Sequence, residues 1–192
     1  MEKLKKMINE RGEVKEGNVL KVDCFLNHQL DVEFLYEMGE ELYRLFKDEG
    51  ITKILTIEVS GIAIAAMAAL FFKVPVVFAK KCESLNLDDD IYSGQVISYT
   101  KQKKYDIKIS KRYLNEGDKL LIIDDFLAEG NAMECLIDVA KQSGAEVKGI
   151  GIVIEKGFQP GGKKIREAGY NLKSLAVVED MKDGKIIFRD NN

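Results

Sequence analysis

Tryptophan is absent from this 192-residue chain, proline occurs twice and histidine once. With so little proline there is no rigid linker to divide the chain. The lone His28 has no partner at metal-ligand spacing, which argues against a structural zinc site. The cysteines Cys24, Cys82 and Cys135 are odd in number, widely spaced and form no CxxC pair, so a disulfide framework is not expected. All three read as reduced small residues. No dense block of lysine and arginine occurs and the formal charge is −3, which argues against a nucleic-acid binder working through a broad basic surface. The longest apolar run, 61–72, is only about half of the roughly 20 residues that a membrane span needs. Residues 1–11 alternate charged and apolar side chains and lack the apolar centre of a signal peptide. These absences point to a cytoplasmic protein that binds neither membrane nor nucleic acid.

The length suits one α/β domain with a substantial core, and 46% hydrophobic with 32% charged residues is ordinary for a globular protein. Residues 2–11 predict a short amphipathic helix ended by Gly12, and 19–23 alternate as an edge strand would. Asp31 is an N-cap candidate for a helix carrying Val32, Leu35, Met38, Leu42, Leu45 and Phe46, with Gly50 past its end. Strands are predicted at 53–57, 75–79, 119–123, 147–154 and 172–178, with helices at 62–72, 132–144 and 163–168 between them. Such alternation implies βαβ units and a mostly parallel twisted sheet flanked by helices. Residues 80–117 break the rhythm: Asp88, Asp89 and Asp90 precede a strand-favouring stretch with Tyr92, Val96, Ile97, Tyr99 and Tyr105. This β-rich insertion is either a cover for a site or a hairpin that extends the sheet.

Residues 119–132 carry the clearest chemistry. Leu120 to Ile123 form an apolar run that ends in two adjacent carboxylates, Asp124 and Asp125, where the strand should leave the sheet. A small-residue turn with Gly130 follows, then a helix that Gly144 closes. Free N–H groups at a helix start suit a phosphate, and carboxylates accept hydrogen bonds from sugar hydroxyls. An acidic strand end also occurs in ATPases, but those require GxxxxGK[ST], which this chain lacks. Gly149-Ile150-Gly151 begins like a dinucleotide fingerprint, yet Ile154 stands where the third glycine belongs. A plain strand terminus stays open as the bland alternative, although two neighbouring carboxylates repel unless something absorbs their charge. Ligands of parallel sheets bind beyond the strand C-terminal ends, where Glu58 to Gly61 would also lie.

The run Ile122-Ile123-Asp124-Asp125-Phe126-Leu127-Ala128-Glu129-Gly130-Asn131-Ala132 resembles the phosphoribosyl diphosphate (PRPP) signature of the type I phosphoribosyltransferases. Within that family, 20–29, 51–54, 75–79 and 149–161 are similar to the members acting on xanthine. The resemblance implies a type I phosphoribosyltransferase fold over 1–192, with 1–40 contributing to a hood over the base and 80–117 a mobile insertion. It implies a purine-salvage pentosyltransferase that moves the 5-phosphoribosyl group of PRPP to xanthine, giving XMP and pyrophosphate. A preference for guanine or hypoxanthine is the alternative, and a PRPP-sensing regulator on the same fold is a more distant one.

By the same resemblance, Asp124 and Asp125 are the catalytic acids. Ala128, Glu129, Gly130, Asn131 and Ala132 would wrap the 5′-phosphate, with the Glu129 side chain pointing to solvent. Ser60 and Gly61 would serve the pyrophosphate, Gly61 by adopting unusual backbone angles and Ser60 also as a helix cap. Leu20, Asn27 and Lys156 would contact xanthine, and Phe126 or Phe158 would offer the base an apolar face. Ser98, Tyr99 and Lys101 resemble the mobile loop. Mg²⁺ would be held mainly through PRPP and water rather than by a protein cage, and the chain would form a homodimer. Ala128 stands where related hypoxanthine-guanine enzymes carry an aspartate, so help with proton removal from the base would come from elsewhere or be unnecessary.

Overall fold

The apolar runs and amphipathic helices assemble around one twisted sheet. The computed structural model describes residues 1–82, 90–98, 103–182 and 185–189. The N-terminal part comprises α1 (Glu2–Arg11), β1 (Glu13–Lys15), β2 (Val19–Lys21), a π turn over Asp23–Asn27, and α2 (Val32–Phe46). The central part comprises β3 (Lys53–Ile57), α3 (Ser60–Phe72), β4 (Val76–Cys82), β5 (Ile91–Ser98) and β6 (Lys103–Ser110). The remainder comprises β7 (Lys119–Leu127), α4 (Asn131–Ser143), β8 (Glu146–Lys156), α5 (Gly161–Glu167), β9 (Leu172–Lys182) and β10 (Lys185–Phe188). The eight-stranded sheet runs β10-β9-β8-β7-β3-β4-β6-β5. Strands β9, β8, β7, β3 and β4 are parallel, and the antiparallel β10 and the β5–β6 hairpin extend its two ends.

Side chains of β7 alternate between two cores. Leu121 and Ile123 join one with α1, α2 and α3, whereas Leu120 and Ile122 join the other with α4. Both faces are thus covered, which is why the strand reads as an unbroken apolar run. Gly149 and Gly151 of β8 lie in the first core: a Cβ on Gly149 would come within 2.5 Å of the Phe46 ring, and one on Gly151 within 2.7 Å of Leu42. These glycines make room for α2 and have no part in a nucleotide loop. Asp31 caps α2, its carboxylate accepting from the Phe34 N–H at 3.2 Å.

Three sequence expectations need correction. The strand begun by Leu120 does not end at Ile123 but continues to Leu127, because β8 is equally extended and pairs with Asp124, Phe126 and Leu127. The acidic pair therefore sits inside the strand. The edge strand expected over 19–23 stops at Lys21, where Asp23 starts the π turn, and β2 pairs with β1 in a separate two-stranded sheet. Ser60 does not cap α3; Val59 precedes the helix and no side chain caps it. Tyr99 and Lys101 of the expected mobile loop, with Asp88 and Asp89, lie outside the described residues. Ser98 ends β5.

Candidate active site

Because β3 and β7 are parallel neighbours, their C-terminal ends bring the 58–61 turn beside the acidic pair. Asp124 is buried at 7% exposure. Burial pushes its carboxyl well above the usual carboxylate range, and the charge of Asp125 adds to the shift. The backbone N–H of Asp125 donates to Asp124 Oδ1 at 3.0 Å, and that of Phe126 donates to Asp125 Oδ1 at 2.9 Å. Asp125 also accepts from the Asn27 side-chain amide at 3.1 Å. The π turn thereby places Asn27 over the end of β7, a link no spacing rule predicts.

Gly61 is required for space rather than for unusual backbone angles, since it is not among the positive-φ glycines. A Cβ there would lie 2.2 Å from Thr56 Oγ1 and 3.1 Å from Asp124 Oδ1. The Glu58–Val59 peptide before it is cis. The Lys81 backbone N–H donates to the Glu58 carboxylate, tying this turn to β4.

A cavity of about 390 Å³ opens beside Asp124. Its walls include the 126–133 segment together with Val96, Tyr105, Lys156 and Gln159. It therefore unites Asp124, Ala128, Glu129, Gly130, Asn131, Ala132 and Lys156 of the residues singled out from sequence, and Phe126. Glu129 is half-buried and lines the cavity, and its turn is tied to the start of α5 through the Gly161 N–H, which donates to the Ala128 carbonyl. Leu20 is buried in the core of α1 and α2, and Ser60, Gly61, Asn27 and Asp125 adjoin the site without lining the cavity. Phe158 is half-exposed and stands outside the lining.

Sequence reading gave no site role to five lining residues, Leu127 at the end of β7 among them. Val96 and Tyr105 face each other across β5 and β6, so the hairpin brings both over Asp124. Their only local signal was strand propensity. Burial, followed by the Asp124 charge, pushes the Tyr105 hydroxyl up. Gln159 shares a turn with Lys156, its N–H donating to the Lys156 carbonyl at 2.9 Å, and its buried side-chain oxygen has no hydrogen-bond partner among the described residues. Met133 lies one position past the small-residue turn.

Lys156 is half-buried, and burial lowers its ammonium below the ordinary lysine range. Its Nζ donates to the Asn18 carbonyl at 3.1 Å, which joins the N-terminal segment to the end of β8. The preceding Glu155 is buried, with Arg166 donating to both carboxylate oxygens at 2.7 Å and the Ser174 hydroxyl donating to one of them. That arrangement and the hydrogen bonds of Ser174 and Arg166 hold the Glu155 carboxyl below its usual range although burial, the largest influence, pushes it up. Gly130, also in the lining, adopts φ 94° and directly precedes α4.

Residues 31–175, which hold the acidic pair, the small-residue turn and Lys156, match one family profile, the phosphoribosyl transferase domain. The curated relatives include xanthine phosphoribosyltransferase 1 of Clostridium perfringens, 55% identical over 98% of this chain and 100% of that one. The xanthine phosphoribosyltransferase of Alkaliphilus metalliredigens is 56% identical over 100% of this chain and 95% of its own. This chain belongs to the xanthine phosphoribosyltransferase family. Among solved structures, the adenine phosphoribosyltransferase of Rhodothermus marinus superposes with a TM-score of 0.75 at 21% identity, covering 93% of this chain and 100% of that one. That of Thermoanaerobacter pseudethanolicus gives 0.74 at 22% identity, over 92% and 98%. At such identities the structural likeness bears on the fold alone, and the fold is the phosphoribosyltransferase sheet. Purine salvage by transfer of ribose phosphate is the family's business.

Proposed function

We propose that the chain transfers the 5-phosphoribosyl group of PRPP to xanthine, releasing pyrophosphate, in the cytoplasm and as a homodimer. The observation that carries this reading is a cavity lined together by Ala128 to Ala132, Asp124 and Lys156. The 5′-phosphate takes the loop N–H groups, and the ribose hydroxyls donate to Asp124 and Asp125. The Lys156 ammonium donates to a purine oxo group, which an exocyclic amine could not accept. The Asn27 amide, tethered to Asp125, is close to both sugar and base. Residues 1–40 act as the hood through Asn18 and Asn27, and Phe126 supplies the apolar face.

Among the described residues no group of three or more His, Cys, Asp or Glu converges on a cation site. Two adjacent carboxylates nevertheless fit Mg²⁺ that arrives with the diphosphate, since this ion keeps water and phosphate ligands and needs few from protein. When bound, it would neutralise charge on the pyrophosphate leaving group. The carboxylates themselves offer negative charge to the oxocarbenium-like sugar, and the Tyr105 and Val96 cover limits water that would otherwise capture it. Exposed Tyr36 on α2 and Leu70 on α3 support a second copy of the chain as the partner. No described helix is long and apolar enough to cross a membrane.

Turnover with PRPP and Mg²⁺ is measured separately for xanthine, guanine, hypoxanthine and adenine. Xanthine should have the highest kcat/KM; a higher value for guanine or hypoxanthine overturns the substrate assignment. Light scattering should give twice the chain mass.

A further inference from the structure

We propose that the Glu155–Arg166 pair is a positioning device for the 5′-phosphate loop, acting through the two glycines that open α5. This rests on the functional reading above, which assigns that loop to phosphate. Glu155 is 1% exposed and receives the Arg166 fork together with the Ser174 hydroxyl. Backbone lies directly on this pair: a Cβ at Gly162 would come 2.0 Å from Glu155 Oε1 and 2.8 Å from Arg166 Nη1. The next contact is backbone on backbone as well. The Gly161 N–H donates to the Ala128 carbonyl at 3.0 Å. A Cβ at Gly161 would sit 2.3 Å from that carbonyl oxygen and 2.7 Å from the Gly130 nitrogen. In return, a Cβ on Gly130 would lie 3.1 Å from Gly161 Cα.

From carboxylate to phosphate loop there is thus no flexible side chain to absorb a shift. A buried ion pair adds little net stability over an apolar pair, so stability alone does not account for this one. A two-pronged guanidinium–carboxylate contact, by contrast, fixes orientation as well as distance. Displacing the pair should displace α5, and α5 should carry the Ala128 carbonyl and the Gly130 N–H with it. Small misplacements of binding groups cost large factors in rate.

The test uses the reverse reaction, in which XMP carries the 5′-phosphate and pyrophosphate does not. Arg166→Lys keeps the charge and loses the fork. Gly161→Ala pushes the loop while leaving the ion pair intact. Both variants should raise KM for XMP about tenfold or more, with KM for pyrophosphate changed less than about twofold. A role in stability alone would move both constants together, or neither, whatever the change in melting temperature. Either result in a folded, active variant overturns the positioning role. If Gly161→Ala does not fold, Arg166→Lys decides. A wild-type protein that fails to convert XMP and pyrophosphate overturns the functional reading itself.

Discussion

Replacing Arg166 by Met leaves a carboxylate facing an apolar tip. The Glu155 side chain is 2% exposed and that of Arg166 37%, so one charge is in the interior and the other partly in water. Removing one partner of a fully buried pair costs about 3–5 kcal/mol, chiefly because the other charge stays buried and unpaired. Solvent already screens part of the guanidinium, which lowers the expectation to about 2–3 kcal/mol. At roughly 2–4 °C per kcal/mol for a chain of this size, the melting temperature should fall by about 4–12 °C.

The effect should also depend on pH in a stated direction. The Glu155 carboxyl lies below its unfolded value of 4.5, so its stabilising contribution is present above that value and is lost as pH falls through the lower folded value. Without Arg166, burial pushes the carboxyl up, and it takes a proton as the solution is acidified. The penalty of Arg166→Met should therefore be largest near neutrality and shrink as pH approaches the unfolded value. Urea unfolding at a series of pH values measures it. A penalty below about 0.5 kcal/mol at neutral pH, or one that does not change with pH, would refute the reasoning. Adding Glu155→Met should recover most of the loss, since an apolar pair of similar volume packs about as stably.

Asp124→Asn should reduce turnover by about a hundred- to a thousandfold, the loss typical of a stabilising group aimed at transition-state charge. It should also raise the melting temperature at neutral pH. The raised carboxyl favours the fold only while protonated, so its ionisation costs stability as pH rises, and the gain from Asn should vanish near the unfolded value of 3.8. Asp125→Asn should be equally inactive in steady-state assays. Because Ala128 offers no carboxylate to the base, kcat/KM should follow the ionisation of xanthine, and a profile that is flat through the xanthine pKa contradicts this.

Much of the architecture was legible because it rests on local rules. The Asp31 cap, the αL glycines Gly50 and Gly144, and the apolar period of α2 and α4 each announce themselves within a few residues. The acidic pair and its turn were legible for the same reason. The length of β7 was not, because its last residues are held by hydrogen bonds to β8, some 28 positions on. Gly61 read as a glycine of unusual backbone angles until the side chains that crowd it were in place, and the contacts that require Gly149 and Gly151 were equally hidden. Tyr105 and Gln159 gave no chemical signal, since each enters the cavity through a pairing or a turn that the sequence does not display.

Taken alone, the amino-acid order determined the class of sheet, the acidic pair with its small-residue turn, and the family resemblance. These follow from short-range patterns: apolar runs, caps, and a run of small residues after two carboxylates. Tertiary structure decided which of those residues meet. It buried Asp124 and raised its carboxyl, joined Asn27 to Asp125 across 98 positions, and brought Lys156 to the Asn18 carbonyl across 138. The physical reason is that desolvation and close contact depend on what lies opposite in space, and sequence spacing carries no measure of either.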